Sequence, residues 1–159
     1  KDMFGEDIDL SLRIQKAGFH TVLIRDAFVY HKRRVSFRSF YRQVSVFGRA
    51  RVDLYLLHPE SLKIVHLLPA VFVLGSLILI LLSFFCIWAL LPLIVYFLAL
   101  FFESLVCNHS LRIAGLSVLT SIIQLGGYGI GFLSAFIKKV VFRQTGDLNA
   151  DLERLYKKK

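Results

Sequence analysis

Two neighbouring carboxylates, Glu6 and Asp7, open a helix-like stretch that runs to Ala17, with Asp9 and Arg13 following on it. A carboxylate held within hydrogen-bond reach of a hydroxyl can take its proton as that oxygen attacks, so a fixed acidic pair suits general-base work. Acidic residues in the first turn of a helix also serve the macrodipole or a cap, and the pair alone does not separate these readings. Asp9 and Arg13 stand four apart, the spacing of an ordinary intrahelical ion pair. His31 ends an apolar stretch, where an imidazole is either a structural residue or a metal ligand. Gln43 and Arg49 lie in a basic segment, and a forked guanidinium is well shaped for a phosphate. His20, His58, His66 and His109 read as structural. Cys86 and Cys107 sit in apolar sequence with neither metal-like nor disulfide-framework spacing, and read as small hydrophobes.

These groups need elements to hold them. Leu10, Ile14 and Ala17 make a stripe suited to helix packing, and Gly18 supplies a C-cap. Residues 19–24 and 27–31 are rich in β-branched and aromatic side chains and are broken at Arg25-Asp26, which predicts two short strands or a strand and an extended arm. Over residues 36–51, Phe37, Phe40, Tyr41, Val44 and Phe47 recur at helical spacings opposite Arg34, Arg38, Arg42, Arg49 and Arg51. That is the pattern of a helix lying in a membrane interface, with packing on the protein's own core and a solvated basic face as the alternative.

Charge divides the chain in three. Residues 1–63 hold 12 Lys or Arg and 7 Asp or Glu, residues 64–137 hold only Arg112 and Glu103, and residues 138–159 hold 7 and 3. Ile64 to Phe102 is 39 residues without a charge, about twice what one crossing needs. The expected segments are 64–84, 87–106 and 113–137, within a hydrophobic anchor over 58–137 and ahead of a basic tail, 138–159. His58-Pro59-Glu60 suits a helix start, Trp88 suits an interface, and Pro69 and Pro92 fall inside the spans. Gly126, Gly127, Gly129 and Gly131 allow close helix approach or a local break. Three crossings would place the tail opposite the basic soluble part, against the positive-inside bias, whereas a re-entrant third segment would return it. The basic flanks suit anionic head groups or an anionic substrate, and nucleic acid is not an expected partner. Beginning at Lys1 with no leader-like stretch, the chain reads as a fragment whose soluble part completes a larger domain.

The stretch Asp2-Met3-Phe4-Gly5-Glu6-Asp7-Ile8-Asp9-Leu10-Ser11-Leu12-Arg13, followed by Lys16-Ala17-Gly18-Phe19, resembles the Glu-Asp signature of family 2 glycosyltransferases. The ordered features that follow, Val29-Tyr30-His31 and then Gly48-Arg49 ahead of apolar segments, extend the resemblance over roughly residues 2–60. It implies Asp7 as the base of an inverting sugar transfer, with Glu6 orienting the acceptor or the helix start. It also implies His31 as a ligand of a divalent ion, Mg²⁺ or Mn²⁺, whose main ligands lie upstream. Asp7-Ile8-Asp9 sits inside the signature and is not the family's separate Asp-x-Asp metal motif. Gln43 and Arg49 fall where processive members carry Gln-x-x-Arg-Trp. Here Val46 stands three after Gln43 and the Arg comes later, in Gly48-Arg49-Ala50-Arg51 with no Trp following it, which favours single-sugar transfer, with Arg49 and Gln43 left to contact a donor or lipid phosphate.

The resulting expectation is an α/β fold, the C-terminal portion of an A-type nucleotide-sugar domain in residues 1–57, followed by an α-helical membrane anchor. The expected activity is that of a hexosyltransferase-type enzyme, membrane-bound, multi-pass and with its catalytic part cytoplasmic, the fragment being inactive alone. Its donor would be a nucleotide-diphosphate sugar and its acceptor a polyprenyl-phosphate lipid or a surface glycan. A non-enzymatic membrane protein, a transporter or scaffold fragment whose acidic helix is only capped, is the alternative.

Overall fold

Small residues decide where the helices of this chain can touch. The computed structural model describes residues 5–30 and 36–143, and every regular element among them is helical. They are α1 (Glu6–Lys16), α2 (Phe37–Leu57), α3 (Leu68–Ser83), α4 (Leu91–Asn108) and α5 (Leu111–Phe136). Short 3₁₀ turns at Pro59–Ser61, Ile64–His66 and Ile87–Leu90 link them, and a π turn at Ile137–Val141 extends α5.

The expected α/β architecture is therefore not found, since the described residues contain no strand. Residues 19–30 run as irregular chain with a turn at Arg25-Asp26 and expose Val22, Leu23, Val29 and Tyr30. Their composition is strand-like, but a strand exists only where a second one supplies the hydrogen-bond ladder. None of the described residues does so.

α1 ends as its sequence predicts. Gly18 has φ 85°, its N–H bonds the carbonyl of Gln15, and the N–H of Phe19 reaches back to Ile14. Those two bonds make the Schellman closure that a left-handed glycine permits. Its buried face is not the Leu10-Ile14-Ala17 stripe, because Leu10 and Ala17 are exposed and Asp9 is the buried residue. Pro69 and Pro92 occupy the first turns of α3 and α4, where a missing N–H costs nothing, and not the interiors of the spans.

α2 is two-sided. Val44, Gly48 and Val52, one turn apart, form the ridge against α5, and Ala50 and Leu54 form a ridge about 200° round the helix that receives Gly5 at the head of α1. α5 is two-sided in the same way. Gly127 and Gly131 face Tyr41, Val44 and Ser45 of α2, whereas Gly129 faces Pro69 and Val73 of α3. The order in space is thus α1, α2, α5, α3, and α4 packs on α5 beside them. The buried cluster of Val52, Ala70, Phe132 and Ala135 sits where α2, α3 and α5 meet.

Backbone meets backbone at these crossings. A Cβ on Gly48 would overlap the Tyr128 carbonyl and lie 2.8 Å from the Phe132 nitrogen, and one on Gly131 would overlap the Ser45 carbonyl. A Cβ on Gly126 would meet nothing within 4 Å. Gly131→Ala is therefore expected to cost about 1–3 kcal/mol, the usual penalty for overpacking. Gly126→Ala, five residues away in the same helix, should leave stability unchanged or slightly raised. Thermal unfolding of the two variants side by side in detergent measures the difference, and equal melting temperatures would refute the close approach.

Candidate functional site

α1 is an eleven-residue helix, too short to be stable by itself in water. Its position comes from α2, at two places. Gly5, at φ 98°, lies close enough to Ala50 and Leu54 that an added Cβ would come within 3.3 Å of Leu54. One turn on, Asp9 is 2% exposed and its Oδ1 accepts a hydrogen bond of 2.8 Å from Nε2 of His58, which is also buried. His58 continues the Ala50-Leu54 ridge at the same four-residue interval, so one line along α2 holds the whole buried face of α1.

The surrounding charges fix the tautomer of His58. Lys16 Nζ lies 2.9 Å from Nδ1, and an ammonium can only donate, so Nδ1 accepts and the ring proton sits on Nε2, facing Asp9. Lys16 also pairs with Glu60 at 2.6 Å, and Arg13 Nε pairs with the second oxygen of Asp9 at 3.1 Å. The hydrogen bond from Lys16 is the main cause that holds the Glu60 carboxyl below its usual range. Being lowered, that group favours the fold above the ordinary glutamate pKa and gives up its contribution as pH falls through the lowered value. The exposed pair is screened by solvent.

Asp7 and Asp9 point apart. Two residues on a helix are about 200° round the axis, and Asp9 is turned in while Asp7 is exposed. Asp7 meets the rest of α1 through its carbonyl, which accepts from Ser11 Oγ at 2.8 Å. Glu6 begins the helix; its side chain lies outside the described residues, as does His31. The α1 head with Asp7 rests against the α2 turn that follows Arg49, because Gly5 contacts Ala50 and Leu54. Arg49 is exposed, with its Nε 3.4 Å from the Ser45 carbonyl. Gln43 is half-buried, and six residues of helix turn it about 120° away from Arg49, so the two do not share a face.

Among the described residues no three His, Cys, Asp or Glu side chains come together as a group that could hold a metal ion. The cluster of Asp9, His58, Lys16 and Glu60 was not marked by any local motif, since Asp9 and His58 are 49 residues apart. The four-residue continuation of Ala50 and Leu54 to His58 is the signal that points to it.

Removing the imidazole leaves Asp9 buried beside an empty space. His58→Ala is expected to cost about 1–3 kcal/mol, and hydrogen exchange should rise in the α1 amides while those of α5 keep their protection. Uniform exchange across both helices would show that His58 does not dock α1.

A family model described as "Glycosyl transferase family group 2" matches residues 1–103. No curated protein and no solved structure gives a match. The matched residues include α1 with its acidic turn, α2 with Arg49, the docking pair Asp9–His58, all of α3 and most of α4. The chain belongs to glycosyl transferase family group 2, whose shared activity is the transfer of a glycosyl group.

Proposed function

We propose that this chain carries the base and the membrane-side support of an inverting, non-processive glycosyltransferase. The donor is a nucleotide-diphosphate sugar, and the acceptor a polyprenyl-phosphate lipid or a cell-surface glycan. The observation that carries this reading is the division of labour in α1, where Asp9 is buried and fastened to His58 while Asp7, on the opposite face, is exposed. A base must be held still and yet reach substrate, and this arrangement supports both requirements.

In the reaction, the Asp7 carboxylate accepts the proton of the acceptor hydroxyl as that oxygen attacks the anomeric carbon. The bond to the nucleoside diphosphate breaks, and its electron pair leaves with the phosphate oxygen. Glu6 orients the acceptor or the head of α1. Arg49 stands exposed near the α1 head and suits a donor or lipid phosphate, with Gln43 in the same helix. A divalent ion, Mg²⁺ or Mn²⁺, would supply counter-charge to the diphosphate, and His31 is the residue of this chain assigned to it. The membrane setting is supported by two helices among the described residues long and apolar enough to cross a bilayer, Ile87–Asn108 and Leu111–Val141. The catalytic part would then face the cytoplasm.

Asp7→Asn keeps the shape of the side chain and removes its basicity, so turnover should fall by roughly 10²–10⁴ fold with donor binding little changed. Were Asp7 only a helix-terminal charge, the same substitution would cost about 0.3–1 kcal/mol of stability and leave the chemical step intact. Single-turnover assays on folded, full-length enzyme separate the two. In the same preparation, His31→Ala should raise the Mn²⁺ or Mg²⁺ concentration needed for half-maximal activity, and an unchanged titration would remove His31 from metal binding.

A further inference from the structure

We infer that the hydrophobic block crosses the bilayer twice, through α4 and α5 alone, so that the basic tail beginning at Lys138 lies on the same side as α1. This rests on the membrane reading of the block given above.

The directions of the helices supply the first step. Val44 of α2 lies against Gly127, Ser45 against Gly131, and Asp53 is salt-bridged to Lys139, so α2 and α5 run side by side in the same direction. The C-terminal end of α5 is therefore beside the C-terminal end of α2, where His58 holds α1. The chain enters the block through Leu62 and Leu67 and leaves it through Phe136 and Val140, and all four pack round one cluster. Its way in and its way out are at one end.

α4 and α5 run in opposite directions. Only His109 and Ser110 separate them, and Ser104 bonds Ser117 at 2.8 Å while Tyr96 reaches Ser121 at 3.3 Å. With its leading turn α4 forms a helical stretch of 22 residues, and α5 with its trailing turn one of 31, each enough for a hydrocarbon core about 30 Å thick. α3 has 16 residues, or about 24 Å, which is short of that thickness. Its first turn sits by Gly129 and within the Phe132–Ala135 cluster, towards the C-terminal half of α5. Its far end leads into the start of α4, which the antiparallel hairpin puts at that same end. The ring of Phe72 in α3 meets Tyr96 at a tilt and Phe97 edge-on, with centroids 5.6 and 6.3 Å apart, so α3 lies beside the first half of α4. α3 thus begins and ends on one side and contributes no crossing.

Charge gives an independent reason. Residues 1–63 carry a net +5 (12 less 7) and residues 138–159 a net +4 (7 less 3). Two crossings put both on one face, as the positive-inside bias requires, and three would split them.

Accessibility of single cysteines decides it. In full-length protein with Cys86→Ser and Cys107→Ser, the substitutions Lys63→Cys, Arg143→Cys and His109→Cys are each exposed to a membrane-impermeant maleimide in right-side-out and in inverted sealed vesicles. Leu111→Cys stands in for His109→Cys if that variant does not fold. Lys63→Cys and Arg143→Cys should react from the same face and His109→Cys from the other. Labelling of Lys63→Cys and Arg143→Cys from opposite faces would establish an odd number of crossings and overturn the inference while leaving the block in the membrane. Labelling of all three from one face overturns it also, and alkaline carbonate extraction then tells the cases apart: release means that the membrane reading itself fails, and retention that the block lies in one leaflet.

Discussion

The contact on which the rest depends is the meeting of α2 and α5 at Gly48, Gly127 and Gly131. If the block lies in lipid, as proposed, its helices gain little from leaving one apolar environment for another, so close van der Waals packing has to hold them. Glycine allows that packing by bringing main chain against main chain, and the atoms that crowd Gly48 and Gly131 are carbonyls and amides that cannot swing aside. The contact is consequently all or nothing in register. A one-residue slide would place Phe47 or Arg49 where only hydrogen fits. Once Gly48 is seated, helix geometry turns Ala50, Leu54 and His58 to the far side of α2, and the landing place of α1 follows.

What happens at that landing place is a question of specificity more than of strength. Burying a carboxylate against an imidazole costs desolvation that the pair only partly returns, and the apolar area between Gly5 and the Ala50-Leu54 ridge is small. An alternative docking of α1, shifted by a turn, would leave Asp9 buried without the hydrogen bond from His58, at a cost of about 1–3 kcal/mol. The bonds from Arg13 and His58 to separate oxygens of Asp9 fix the rotation of the helix. Asp7 is turned outward as a result, although it takes part in neither bond.

Features determined by neighbours along the chain could be read from sequence, and features determined by partners in space could not. Gly18 ends α1 where its residue type says, because the Schellman closure involves only residues 14–19. The uncharged stretch and the glycine run were visible for the same reason, although the run was compatible with either close approach or a local break, and the structure uses Gly127, Gly129 and Gly131, not Gly126, for close approach. The strand-like residues 19–30 misled, because β structure needs a partner that composition cannot supply. The packing face of α1 misled differently: an apolar-stripe argument selects Leu10, whereas the protein buries Asp9 and satisfies it with a histidine from 49 residues away. For Gln43 and Arg49 the motif spacing gave positions but no facing, and on the observed helix they diverge by about 120°. The role proposed for Asp7 rests on the order of the residues around it, and the structure contributes its exposure.

Distance along the helix links the two contacts of α2. From Gly48, the crossing with α5, to His58, the anchor of α1, the helix rises roughly 15 Å, and both points are fixed by side chains that tolerate little change. α2 thereby acts as a spacer of set length between a hydrophobic block and an acidic turn. If the acceptor is a lipid phosphate, as proposed, its reacting oxygen is confined to the head-group layer, and misplacement of a base by about 1 Å can cost orders of magnitude in rate. A flexible tether would leave the separation of the two contacts undefined. A helix locked at one end by glycine contacts and at the other by a buried carboxylate defines it, which gives a physical reason for such a family member to spend a buried charge on docking α1.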